Sequence, residues 1–211
     1  MTNTLFEIVL MLAALVGAVR LFGHRDRPGL DFACAALLIV VPAAFFGAIR
    51  YGGYPTHLVV LANETISLMA MILGPSWTIA AIVILLRGQP GRMALGVLWL
   101  LPAIIVPLAV AEATAPVGDI YAQMASLVML VLMLAAGIVI AIRGSVAAGA
   151  GFIVGAAGYA GAALASMGFY GLSASTSMDV FHIGLAIWAA GLAYGALATD
   201  AVKRRDEAHS V

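Results

Sequence analysis

Met178-Asp-Val-Phe-His182-Ile-Gly-Leu-Ala-Ile-Trp-Ala-Ala-Gly-Leu-Ala-Tyr-Gly-Ala-Leu197 opens with an acid and an imidazole and then carries no charged residue until Asp200. Coiled as a helix, an apolar run of about 20 residues matches the ~30 Å hydrocarbon layer of a bilayer. The run 178–197 is therefore read as a membrane span. Six further runs have the same character, over about 5–22, 32–49, 57–86, 94–111, 120–142 and 146–167. The expected fold is an all-α membrane protein, a bundle of seven transmembrane helices forming one integral membrane domain over residues 1–211.

Composition agrees. With 64% hydrophobic and 9% charged residues and a mean hydropathy of +1.11, the chain has too little polar surface to cover a water-soluble core. The formal net charge is zero and the basic residues fall in small groups between spans, so a nucleic-acid partner is not expected. Cys34, the single cysteine, lies inside an apolar run and reads as a small packed residue. The first residues, Met1-Thr-Asn-Thr-Leu-Phe-Glu7, lack the positive n-region of a signal peptide, so the first span is expected to be retained.

The runs are punctuated as spanning helices should be. His24-Arg-Asp-Arg27-Pro28 closes the first and Arg50-Tyr-Gly-Gly-Tyr-Pro55 closes the second. The third, 57–86, is longer than a bilayer needs, so it is expected to tilt, to kink at Gly74-Pro75 or to project beyond the hydrocarbon. Pro102 and Pro107 suggest a bend in the fourth. In the sixth, Ala147, Gly151 and Gly155 recur every four residues, a spacing that lets helices approach closely, so a tightly packed central helix is expected.

Orientation follows from counting. If the amino terminus faces outward, Arg20, Arg25, Arg27, Arg87, Arg92, Arg143, Lys203, Arg204 and Arg205 lie inside, nine of the 10 basic residues. Only Arg50 lies outside. The positive-inside rule thus gives amino terminus out and carboxyl terminus in, with the plasma (inner) membrane as the expected location.

Most remaining polar groups then fall on the outer side: Glu7, Arg50, Tyr51, His57, Asn63, Glu64, Ser67, Glu112, Asp119, Tyr121, Gln123, Tyr170, Asp179 and His182. Glu7, Glu112 and Asp119 stand close to span ends and read as ordinary boundary residues. Asp179 alone reads as a complement to the positive helix end. Glu64 and His182 are harder to place at a boundary, because an ionisable group below the interface needs a partner in the bundle interior. His57 and Glu64, two turns or ~10 Å apart along one face, cannot chelate one metal together from a straight helix. The most economical constellation is Glu64, Asp179 and His182, with His57 as a further candidate ligand. Imidazole and carboxylate ligands with an open water position suit zinc.

Met178-Asp179-Val-Phe-His182 in the last span, and more loosely Gly47-Ala-Ile-Arg50-Tyr-Gly-Gly53, resemble the superfamily of seven-helix membrane hydrolases that includes alkaline ceramidases and the progestin and adiponectin receptors. The resemblance implies a zinc, held by histidines of the second and last helices with a nearby aspartate and serine, that activates water to cleave a lipid amide. Two positions depart from the pattern: Ala186 stands where the family's last helix has a second histidine, and Tyr51 rather than a histidine closes the second span. Retinal Schiff-base chemistry is excluded, since the only lysine is Lys203, in the tail.

Two functions are carried forward. One is a metal-dependent hydrolase acting on a lipid-like amide or ester from the outer side, with Glu64 or Asp179 as ligand or general base, His182 as ligand, and Arg50 or Tyr51 stabilising the oxyanion. The other is a non-enzymatic membrane accessory subunit or sensor, partnered by other membrane subunits, whose buried polar pairs fix helix register.

The topology is tested in sealed cells with Thr2→Cys and Ser210→Cys, each in a Cys34→Ala background. An impermeant thiol reagent should label only the former; labelling of the tail would reverse the orientation.

Overall fold

The computed structural model, which describes residues 2–27, 29–111 and 115–209, turns all seven apolar runs into helix. Glu112 and Ser210 lie outside the described residues. The helices are α1 (Thr2–Phe22), α2 (Leu30–Leu38), α3 (Val40–Tyr51), α4 (His57–Arg87), α5 (Arg92–Val110), α6 (Ala115–Ile142), α7 (Val146–Ser166) and α8 (Ala174–His209). Among the described residues seven stretches are long and apolar enough to cross a membrane, α2 and α3 together forming the second, Leu30–Tyr51.

The break in that second stretch has a cause in the sequence. Pro42 has no N–H to give the Leu38 carbonyl, and its ring crowds that same carbonyl, so the helix interrupts at Ile39. Pro75 does not break α4, which runs through it for 31 residues. Beside it, Thr78 Oγ1 donates to the Gly74 carbonyl at 2.8 Å and Ser76 Oγ to the Ile72 carbonyl at 2.7 Å. At ~1.5 Å per residue α4 exceeds a bilayer's hydrocarbon, and its first turn, with Leu58 76% exposed, is left outside the packed bundle. The last helix also departs from expectation. Instead of ending at 197 before a polar tail, α8 begins at Ala174 and continues through Asp200 to His209, a length of 36 residues.

Helix contacts close a ring. α1 packs on α3, α3 on α4, α4 on α6, α6 on α7, α7 on α8, and α8 back on α1, with α2 tucked between α1 and α4 and also touching α8. α5 stands outside the ring in the corner between α4 and α6. It is pinned by aromatic contacts, Trp99 stacking on Phe32 of α2 at 4.3 Å and meeting Trp77 of α4 at 5.2 Å. Hydroxyl pairs join α6 to its neighbours: Ser76 with Tyr121 at 3.0 Å and Ser126 with Tyr159 at 2.7 Å. The outer surface is made of residues such as Leu12, Val16, Leu100, Ile104, Leu127 and Val131, all about half exposed.

The most extensive seam is between α7 and α8. A Cβ on Gly191 would lie 2.6 Å from both the Gly151 carbonyl oxygen and the Gly155 Cα, and one on Gly151 would lie 2.8 Å from the Gly195 nitrogen. The two backbones touch, and only hydrogen side chains permit it. The contacting face of α7 is Ala148, Gly151, Gly155, Gly158 and Ala162, whereas Ala147 is exposed. The four-residue spacing found the close approach but misplaced its first member. Nor is α7 the central helix. It lies in the ring wall and packs on α6 and α8, whereas α8 touches α1, α2, α4 and α7, and α4 touches α2, α3, α5, α6 and α8.

Gly191→Leu should lower the melting temperature in mild detergent, by a free-energy cost on the order of 1–3 kcal/mol or more for overpacking. Gly161→Ala, where an added Cβ meets nothing within 4 Å, should leave it unchanged. Equal melting temperatures for the two variants would contradict the seam.

Candidate functional site

α1 and α8 begin at the same end of the bundle and run parallel. Glu7 meets His182 near their starts, and ten residues further on Gly17 meets Ala189 and Ala193. At this end, where α1, α4 and α8 begin and α3 ends, two polar clusters form.

In the first cluster His182 Nε2 lies 3.1 Å from Glu7 Oε1, and both side chains are 6% exposed. The third wall is Gly47 of α3, where any Cβ would collide with the Glu7 carboxylate. Glycine at 47 makes room for the acid. Alongside, the Gly52 position comes within 3.7 Å of Thr4 Cγ2, which seats the start of α1 against the end of α3. A buried carboxylate and a buried imidazole are each costly alone, and pairing offsets much of that cost because each supplies the other's missing hydrogen-bond partner.

One turn outward the seam is still polar. Asn3 precedes Glu7 by four residues and Asp179 precedes His182 by three, so on parallel helices they stand at the same level, above the pair. Asn3 Oδ1, Thr4 Oγ1, Asp179 Oδ1 and His182 Nδ1 are all shielded, and none has a hydrogen-bond partner among the described residues.

The second cluster belongs to α3 and α4. Arg50 Nη1 donates to Asn63 Oδ1 at 3.1 Å and lies 3.3 Å from Glu64 Oε1. Asn63, buried, donates from Nδ2 to the Ala43 carbonyl at 3.2 Å and to Ser67 Oγ at 3.4 Å. Glu64 is 60% exposed, so its ion pair contributes little, on the order of 0–1 kcal/mol. Asn63 is the anchor of this cluster. The Arg50 guanidinium also lies 5.8 Å from the centroid of the Tyr51 ring. His57 occupies the exposed first position of α4, behind the Thr56 cap, whose Oγ1 accepts from the Val59 N–H at 3.4 Å.

These positions redistribute the sequence candidates. His182 and Asp179 share one cluster, whereas Glu64, Arg50 and Tyr51 share another, and His57 stands at the open start of α4. The expected grouping of Glu64, Asp179 and His182 is not formed: Glu64 turns to Arg50 of the neighbouring α3, and His182 is taken by Glu7. Among the described residues no three His, Cys, Asp or Glu side chains gather so as to hold a metal ion.

Glu7 is the residue that sequence reading misplaced. It reads as a boundary acid but is 5% exposed. A signal was present: counting about 20 residues back from Phe22 reaches Asn3, which sets Glu7 a full turn inside the span. The opposite end also holds more than basic anchors. Asp200 is 7% exposed, and Arg204 Nε stands 3.1 Å from its Oδ2, within ion-pair distance though not aligned as a hydrogen bond.

Compared with protein-family models, curated proteins and solved structures, the chain matches none.

A double-mutant cycle with Glu7→Leu and His182→Leu tests the pair. Each single variant should lose stability on the order of 3–5 kcal/mol, since it strands a buried polar partner. The double variant should lose clearly less than the sum, with a coupling of about 0.5–3 kcal/mol. Strict additivity in detergent unfolding would show that the two groups do not interact.

Proposed function

We propose that this chain is a non-enzymatic integral membrane protein, an accessory subunit or sensor, lying in the plasma (inner) membrane with its amino terminus outward. The half-exposed Leu, Val and Ile side chains around the ring suit lipid contact. The nine-to-one distribution of the 10 basic residues supports the orientation. On this reading both polar clusters face outward, and lipid and other membrane subunits are the partners.

One observation carries the non-enzymatic reading: His182 Nε2 is held at 3.1 Å by Glu7, with Gly47 closed against the same carboxylate. A group so enclosed fixes helix register and has no open face toward a lipid-sized substrate.

The second reading is the zinc-dependent hydrolase of a lipid-like amide or ester. In its favour stand Asp179 Oδ1 and His182 Nδ1, buried and without partners. Against it, Nε2 is already engaged and no set of three ligand side chains gathers among the described residues. The side chains as they stand do not fit a zinc centre, and no catalytic step is derived through one.

Elemental analysis of protein purified in mild detergent without added metal separates the readings. The accessory or sensor reading expects far less than one metal per chain, unchanged in His182→Ala. One tightly held zinc per chain, lost in His182→Ala, would overturn it in favour of the hydrolase.

A further inference from the structure

Arg20 lies inside the first span, in the last turn of α1, and it is exposed. By helical period it follows Val9, Leu12 and Val16 along the exposed face of α1, where Val16 is 54% and Val19 64% exposed. A charged group within a span ordinarily turns into the bundle and pairs there. Arg20 does neither: among the described residues its side chain has no ion pair and no hydrogen bond. Arg50 is taken up by Glu64 and Asn63, and Arg204 by Asp200. Arg87, Arg92 and Arg143 stand exposed at or just beyond the ends of α4, α5 and α6. The guanidinium of Arg20 thus rises from an apolar, lipid-suited face with no counter-charge from the protein.

The residues beyond it form an open platform. A Cβ on Gly23 would meet nothing nearer than the Arg20 carbonyl oxygen, at 3.6 Å, so the surface one turn past Val19 is uncovered. On the other edge of the same face Arg25 lays its guanidinium over the Phe22 ring, 4.1 Å from the centroid, and donates from Nη1 to the Phe22 carbonyl at 3.4 Å. Phe22 is 52% exposed, so the stacked guanidinium is held at the level where the apolar surface ends. Over residues 20–27 three arginines stand against one acid, Asp26.

We propose that this end of α1 binds one anionic phospholipid, with the Arg20 guanidinium on its phosphate diester, Arg25 as the second cation, and the acyl chains along Val9, Leu12 and Val16. On this arrangement the aliphatic stem of Arg20 follows apolar surface and carries its head to the level of the lipid phosphates. A guanidinium meets a phosphate through two parallel N–H···O bonds. The surplus of positive charge selects a headgroup with no ammonium of its own. The proposal extends the lipid partner of the proposed function to a chemical class and a residue; it rests on the membrane location and not on the choice between accessory subunit and hydrolase.

Native mass spectrometry of the full chain in mild detergent tests it, with phosphatidylglycerol and phosphatidylcholine of matched acyl chains as the probes. The wild-type protein should retain one phosphatidylglycerol at concentrations where phosphatidylcholine is not retained. Arg20→Gln should weaken that binding about tenfold or more, as expected for the loss of charge-assisted hydrogen bonds, and Arg25→Gln should weaken it to a smaller extent. Arg92→Gln and Arg143→Gln, at the same end of the bundle but on other helices, should leave it unchanged. Equal retention of the two lipids, or unchanged phosphatidylglycerol binding in Arg20→Gln, would overturn the proposal. A loss as large in Arg92→Gln as in Arg20→Gln would also overturn it, leaving a diffuse basic rim. So would inorganic phosphate retained by the wild type and lost in Arg20→Gln, in favour of a soluble anion. If Arg20→Gln does not fold, Arg25→Gln decides against the same controls. Detergent exposes both ends of the bundle, so failure here is distinct from failure of the orientation, which thiol labelling reads, and from failure of the non-enzymatic reading, which metal analysis reads.

Discussion

Inside a bundle of apolar helices no water is at hand to hydrate an ionisable group, so Glu7 and His182 have to satisfy each other. Much of the arrangement follows from that constraint. The contact at 3.1 Å sets the register of α1 against α8, and the helices hold it ten residues further on, where Gly17 meets Ala189 and Ala193. The acid in turn requires a glycine at 47 on α3. One polar pair thereby fixes three of the helices relative to one another. Because each group supplies the other's polar partner, burying them together costs less than burying either alone.

The same economy governs the rest of the ring. With few polar groups available, helices are held by close backbone approach, and the glycines of α7 and α8 bring their main chains into contact. Pro75 is carried within a continuous α4, with the Ser76 and Thr78 hydroxyls donating to the Ile72 and Gly74 carbonyls beside it. At Pro42, by contrast, the helix breaks into α2 and α3. α5 is attached outside the ring through large aromatic contacts and through the close approach of its Ala109 to Gly118 of α6.

The helical architecture was legible because it is written in run length. Seven apolar stretches, the turns between them and the close-packing glycines could be read from composition and spacing alone. Depth within a run was harder. Three to four residues separate a boundary acid from a buried one, and that margin decided Glu7 and Asp200, both buried against expectation. His182 was correctly read as needing a partner, because an imidazole inside an apolar run cannot stay unpaired. Which helix supplies the partner depends on ring order, and sequence periodicity carries no information about which helices become neighbours. Glu64 was the reasonable candidate by depth, but α4 presents it to Arg50 across the α3 contact. The continuation of α8 past Asp200 was hidden by the charged composition of residues 203–207, which suits an exposed helix as well as a tail.

The central claim is the direct contact between the Glu7 carboxyl and the His182 imidazole. Solid-state NMR in lipid bilayers measures it without altering either group, through the dipolar coupling between a 13C-labelled glutamate carboxyl and a 15N-labelled imidazole. The account predicts a coupling that fits an Oε1 to Nε2 separation of 3.1 Å, present in the native chain and lost in Glu7→Gln when only glutamate is labelled. A His182 imidazole coupled to no carboxyl, or coupled to Glu64 in place of Glu7, would contradict it.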